Sequence, residues 1–251
     1  MTTLLPPDQR QARVAEKRRM VLRFMRDETW THVDVLQELL AFKNVQNVNS
    51  TLRPMERDGL LKRVSVDMTY GRSITIWGIT TTGQAYAFEL DEPLEDRPGF
   101  EPSKIKPSTL QHRIDLQLAR VRAEKAGWTN WEPGHLLGKR MSGVKLPDAI
   151  ATDPQGQRVA IEIERTIKSR KRYSEILVSH LSQRKAGSWQ KILYLSPTTD
   201  FAARVQRVFF SISQAKHQGQ AFNVTDEHRQ PFSFYSLNSG EWLTMNEDIT
   251  R

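Results

Sequence analysis

The sequence predicts a mixed chain of two domains, α+β followed by α/β. Three observations carry this. The first hundred residues give three helical patterns and then two β-branched runs around a glycine turn. A segment rich in proline and acid follows. The remainder runs helix, three strands, helix, strand. At 251 residues the chain has room for two cores of ordinary size.

The first pattern, Gln9 to Arg26, sets Val14, Val21, Leu22, Phe24 and Met25 among many Lys and Arg residues, an amphipathic helix with a basic outer face. Trp30 and Thr31 interrupt it, with Thr31 as an N-cap. Val33 to Leu40 spaces its apolar residues by three and four, a second helix. The third runs from about Val45 to Asp58, with Val48, Leu52 and Met55 inward and Asn47, Asn49, Ser50, Thr51 and Arg53 outward. Pro54 removes a backbone donor there, so a kink or a later start is expected. Gly59 closes the helix as a C′ glycine. Leu60–Val66 and Ile74–Ile79, joined through Tyr70-Gly71-Arg72, make a hairpin, and Gln84 to Leu90 a last helix.

Three helices and a hairpin resemble the winged helix-turn-helix. That resemblance puts Asn47, Asn49, Ser50 and Arg53 at a major groove and Arg72 at the wing tip, near phosphate or minor groove. Use of the same fold for protein contacts is the alternative. Residues 1–92 form this domain, 93–107 the linker and 108–251 the second domain.

In the second domain Leu110, Ile114, Leu118 and Val121 mark a helix from Ser108 to Ala126. Trp128–Glu132 reads as a short strand; Leu146–Thr152 and Arg158–Arg165 are strands around Asp153-Pro154-Gln155-Gly156. A basic helix runs from Lys168 to about Lys185, and Lys191–Leu195 is a buried strand. Residues two apart on a strand share a face, so Glu162 and Glu164 point together, and Asp148 on the neighbouring strand brings a third carboxylate. Glu132, at the end of the preceding strand, is a fourth acid. Oxygen ligands of this kind suit Mg²⁺ or Mn²⁺. The alternative is a solvated strand face on which Glu162 and Glu164 pair with Arg165 or Lys168.

Pro147-Asp148 followed by Glu162-Ile163-Glu164 resembles the PD-(D/E)xK, restriction-endonuclease-like αβββαβ core. Glu164 stands where that family has its lysine, and Lys168 or Lys171 is the expected substitute. Gln111-His112-Arg113-Ile114-Asp115, Trp131-Glu132, Leu146-Pro147-Asp148-Ala149, Glu162 to Thr166, Lys168-Ser169 and Arg172-Tyr173 are together similar to the replication-relaxation group and the MobC-type plasmid mobilisation relaxases. The resemblance implies site-specific, metal-dependent nicking of DNA at a transfer origin, in a bacterial cytoplasm, with an accessory mobilisation protein and a coupling ATPase. Asp148, Glu162 and Glu132 would hold the metal, and Glu164 and Lys168 would assist.

Relaxases conserve the broken phosphodiester on a tyrosine. Of the five tyrosines, Tyr173 follows the acidic strand and is flanked by Arg170, Lys171 and Arg172, cations that would favour an ionised phenol. Its other reading is packing, on a stripe with Ile176, Leu177, His180 and Leu181. Arg165, Arg170, Lys171 and Arg172 would line the DNA path. His112 and Asp115, one turn apart, and His135 are expected behind the metal ligands or at the surface.

Lys and Arg number 37 against 29 Asp and Glu, a net charge of +8 that favours a polyanionic partner. No cysteine is present, which excludes disulfides, thiolate metal sites and cysteine nucleophiles. No apolar run approaches the ~20 residues of a membrane span, and no signal-type apolar core is expected at the start. The rivals to the relaxase are a hydrolytic nuclease without a covalent step and a non-enzymatic replication or transcription regulator. The segment after Ala215 reads as a strand at Phe232–Leu237 and an exposed Trp242.

Overall fold

A computed structural model describes residues 6–68, 71–95, 97–138 and 145–244. The chain is mixed α+β and divides into two compact units, Met1–Val121 and Arg122–Arg251. Tyr70 lies outside the described residues.

In the first unit α1 (Pro7–Glu28) buries Val21, Leu22, Phe24 and Met25 and leaves Val14 exposed. Thr29 breaks the helix with a φ of 64°. Trp30 and Thr31 do not merely interrupt the helix. They form β1 (Trp30–His32), paired antiparallel with β3 (Ser73–Ile79), and the cap of the next helix is His32, whose Nδ1 accepts from the Asp34 amide. Thr31 is unavailable as a cap because its buried hydroxyl donates to Gln117 Oε1 at 2.9 Å.

Helix α2 (Val33–Leu39) buries Val35 and Leu36. Helix α3 (Val45–Arg57) starts where the periodicity places it, with the Asn44 side chain accepting from the Asn47 amide, and it continues through Pro54. The proline forfeits one i→i−4 bond, and the buried stripe of Val48, Leu52 and Met55 offsets that loss. Gly59 ends the segment at a φ of 71°, a conformation that suits glycine. Strand β2 (Leu61–Asp67) pairs antiparallel with β3, giving the order β1-β3-β2. The following helix is α4 (Thr81–Ala85), not Gln84 to Leu90, because the Thr80 hydroxyl caps the Gly83 amide and starts it earlier.

The division between units falls inside α5 (Pro107–Lys125) rather than in residues 93–107. Leu110, Ile114 and Val121 belong to the first unit's core, with Val21, Leu36, Leu52 and Ile76.

The second unit is built on a five-stranded mixed sheet in the order β10-β7-β6-β5-β4. Strands β4 (Thr129–Pro133), β5 (Ala149–Thr152) and β6 (Arg158–Ile163) are antiparallel neighbours. Strands β7 (Lys191–Ser196) and β10 (Phe232–Ser236) continue the sheet in parallel. A short α6 (Gly134–Leu137) follows β4, and α7 (Arg170–Lys185) connects β6 to β7. On the α7 side Ile150, Ala160, Ile192 and Phe232 pack with Tyr173, Ile176 and Leu177, and with Val205 and Phe209 of α8 (Thr199–Phe210). Strands β8 (Gln214–His217) and β9 (Gln220–Asn223) form a separate antiparallel hairpin before α9 (Asp226–Arg229). Trp242, expected at the surface, is fully buried: its ring meets Trp128 edge-on, and its Nε1 donates to the Leu237 carbonyl.

Candidate functional site

The antiparallel register of β5 and β6 sets Ala149 opposite Ile161, so Asp148, one residue back, lies opposite Glu162. Because side chains alternate, Glu162 and Glu164 face the α7 side, the face that also carries Ile150 and Ala160. Asp148 is fixed at both ends. Its Oδ2 accepts from the Ile163 amide at 2.8 Å, and its carbonyl accepts from the Gly134 amide at 2.7 Å. The second contact depends on a missing side chain, since a Cβ on Gly134 would stand 2.3 Å from the Pro147 carbonyl oxygen.

Glu162 Oε1 accepts from two donors. His180 Nε2 on α7 and Lys145 Nζ, from the segment before β5, each lie 3.0 Å away. An ionised carboxylate only accepts, so His180 carries its proton on Nε2. Burial alone would raise the Glu162 pKa. The His180 hydrogen bond and the Lys145 ammonium outweigh it and hold the carboxyl well below the usual carboxylate range. Oε2 of Glu162 has no hydrogen-bond partner among the described residues, and the side chain keeps 12% of its exposure.

Glu164, two residues on, is sealed. Its carboxylate accepts from Lys168 Nζ, from the Tyr173 hydroxyl at 3.1 Å and from the Thr166 amide at 3.3 Å, and its side chain is 3% exposed. Lys168, one of the two lysines expected to stand in for the lysine of the PD-(D/E)xK pattern, pairs with Glu164. The lysine beside the outer acid is Lys145, which sequence reasoning passed over. Lys171 is exposed on the first turn of α7.

Tyr173 is fully buried. Its hydroxyl donates to Glu164 and accepts from the Lys168 amide at 3.3 Å, and its ring meets Phe209 edge-on. Burial, with the Glu164 charge adding to it, pushes the phenol pKa up, against the expectation that flanking cations favour the phenolate. Arg170 and Lys171 are exposed at the start of α7, while Arg172 pairs with Glu175 at 2.9 Å and Arg165 is exposed just beyond β6.

Glu132 lies opposite Ile150, two residues along from Asp148, on the same face but on the diagonal. Among the described residues no three His, Asp or Glu side chains gather closely enough to hold a metal. The expected convergence of three or four carboxylates is therefore reduced to the facing pair, Asp148 and Glu162. Glu164 is drawn inward by Lys168 and Tyr173, and Glu132 is offset along its strand. The pair still fits Mg²⁺ or Mn²⁺ in donor chemistry. Both are hard oxygen donors, Glu162 keeps one oxygen without a hydrogen-bond partner among the described residues, and Mg²⁺ is commonly held by one or two carboxylates with substrate phosphate and water.

In the first unit Asn47, Ser50 and Arg53 are exposed on α3 and Asn49 is half-buried, while Val48 and Leu52 point inward. Arg72 is exposed beside the start of β3. His112 and Asp115 belong to the first unit, where Asp115 accepts from Gln111 at 3.0 Å. His135 stands on α6.

No family model matches the chain, and neither the curated proteins nor the solved structures compared with it return a match.

Proposed function

We propose that the chain nicks DNA in a metal-dependent reaction: the first unit, a winged helix-turn-helix, engages duplex, and the second, a PD-(D/E)xK-like domain, cuts one strand. The observation that carries this reading is Asp148 facing Glu162 across two strands, with Lys145 Nζ 3.0 Å from Glu162. Exposed Asn47, Ser50 and Arg53 on α3, half-buried Asn49 and Arg72 at the hairpin support a duplex contact. In this reading Asp148 and Glu162 would hold Mg²⁺ or Mn²⁺, and Glu132, on the same face, would assist. The ion supplies Lewis-acid polarisation of the scissile phosphodiester. His180 fixes the Glu162 carboxylate and keeps it ionised. Lys145 places a cation beside the phosphate, the role expected of Lys168 or Lys171. Glu164, Lys168 and Tyr173 fasten the start of α7 to the end of β6.

The attacking oxygen is water rather than a phenol. Burial, two hydrogen bonds and a raised pKa leave Tyr173 a poor nucleophile. A transfer-origin substrate, an accessory mobilisation protein and a coupling ATPase belong to the same proposal and rest on the sequence resemblance. The test is supercoiled plasmid carrying a transfer origin, incubated with Mg²⁺, Mn²⁺ or EDTA and divided before and after protease treatment. Open circles with metal and without protease support hydrolysis. Open circles that appear only after protease restore the covalent route and Tyr173. Unbroken supercoils in every condition, with duplex binding intact, overturn the nuclease reading in favour of a regulator.

A further inference from the structure

A cavity of about 560 Å³ opens between the first turns of α7 and the β8–β9 hairpin, outside the acidic pair. Three cations line it, Arg170, Lys171 and Lys216, and none of them makes an ion pair or side-chain hydrogen bond with a described residue. Its one carboxylate, Glu175, is neutralised by Arg172 at 2.9 Å. The hydroxyls of Ser174 and Ser213 add neutral donors, and buried Ile212 and Ala215 give an apolar floor. Three cations without ion pairs beside an apolar lining match a phosphate joined to a base. Its volume lies within the range that seats a small ligand. The elements also carry it toward the proposed reaction. Helix α7 bears Tyr173, bonded to Glu164 at the end of β6, while Arg170 and Lys171 lie less than one turn before it.

We infer that this cavity seats a nucleotide of single-stranded DNA, its phosphate held by Lys171, Lys216 and Arg170 and its base laid on Ile212 and Ala215. The inference rests on the nuclease reading for its choice of DNA, and it gives the β8–β9 hairpin a purpose, which is to hold the freed strand.

The full chain, free of metal, is titrated with a fluorescent oligothymidylate, with inorganic phosphate and a mononucleotide as competitors. The doubly substituted Lys171→Gln/Lys216→Gln protein weakens strand binding about tenfold at low salt. It also lowers the slope of log affinity against log salt by ~1.4, as two lost phosphate contacts require. Ala221→Trp, which narrows the cavity without changing charge, weakens the strand to a similar extent. Wild-type affinity and slope in both pocket variants overturn the inference, whether or not plasmid is nicked. Competition by phosphate or mononucleotide as strong as by the oligonucleotide also overturns it, making the cavity a small-anion site. Pocket-dependent strand binding in a protein that nicks nothing keeps the cavity and removes the nuclease reading instead.

Discussion

Lys145 and His180 share one oxygen of Glu162, and that sharing decides what the carboxylate can do. With both partners present Glu162 is held ionised, and its second oxygen has no hydrogen-bond partner among the described residues. Lys145→Ala removes the nearest cation, so nicking is expected to fall by more than tenfold while duplex binding stays within about twofold, read by plasmid relaxation and a duplex titration in parallel. Tyr173 supplies the complementary case. Tyr173→Phe strips a donor from buried Glu164 and is expected to cost about 1–2 kcal/mol in urea unfolding. Nicking should survive, because the phenol lies off the reaction path; its loss in a folded protein would reinstate the tyrosine. The acids were legible in sequence because strand alternation fixes which residues share a face. Lys145 and His180 were not. One sits in irregular chain where no period applies, and the other occupies a helical stripe with Tyr173, Ile176 and Leu177 that reads as core.

Two strands and a turn hold the acids in place, and the weakest point among these elements is Gly134. Gly134→Ala drives a methyl group into the Pro147 carbonyl, and backbone cannot swing aside as a side chain does. About 1–3 kcal/mol of destabilisation is expected from overpacking, with nicking reduced beyond what the lost stability explains. Wild-type activity and stability would mean that this turn does not position Asp148. On α3, Arg53→Gln should lower the salt slope of duplex binding by about 1 if the helix reaches phosphate. Strands β5 to β7 are legible as hydrophobic runs, and α3 as a three-and-four spacing that Pro54 does not break. Helix α8 shows the same signal in Ala202, Val205 and Phe209, but it was passed over beside the stronger acidic strand. The burial of Trp242 had no local signal, because its partner Trp128 is more than a hundred residues away.

The whole chain carries a charge of +8, yet its cations are unevenly employed. Arg120 pairs with Asp27 and Glu28 in the first unit, and half-exposed Lys168 with Glu164 in the second, while Arg53, Arg170, Lys171 and Lys216 are exposed. Composition alone suggested a polyanion but not which residues meet it. No helix among the described residues is long and apolar enough to cross a membrane. A loss of stability at alkaline pH is expected, with a named cause. Burial raises Tyr173, Tyr194 and Tyr235 above their unfolded pKa of about 10, so the folded state favours the neutral phenols. Their contribution is complete below that pH and is lost as pH climbs toward the folded values. Urea midpoints should therefore fall steadily above pH 10, and Tyr194→Phe should flatten the decline; an unchanged slope would assign alkaline unfolding to other groups.

The decisive comparison is nicking of supercoiled transfer-origin plasmid by the wild type and Asp148→Asn in Mn²⁺, at protein concentrations that give equal duplex occupancy. Open circles are expected from the wild type, none from the variant and none from either in EDTA. Equal nicking by both proteins would mean that cleavage does not pass through the facing pair of Asp148 and Glu162.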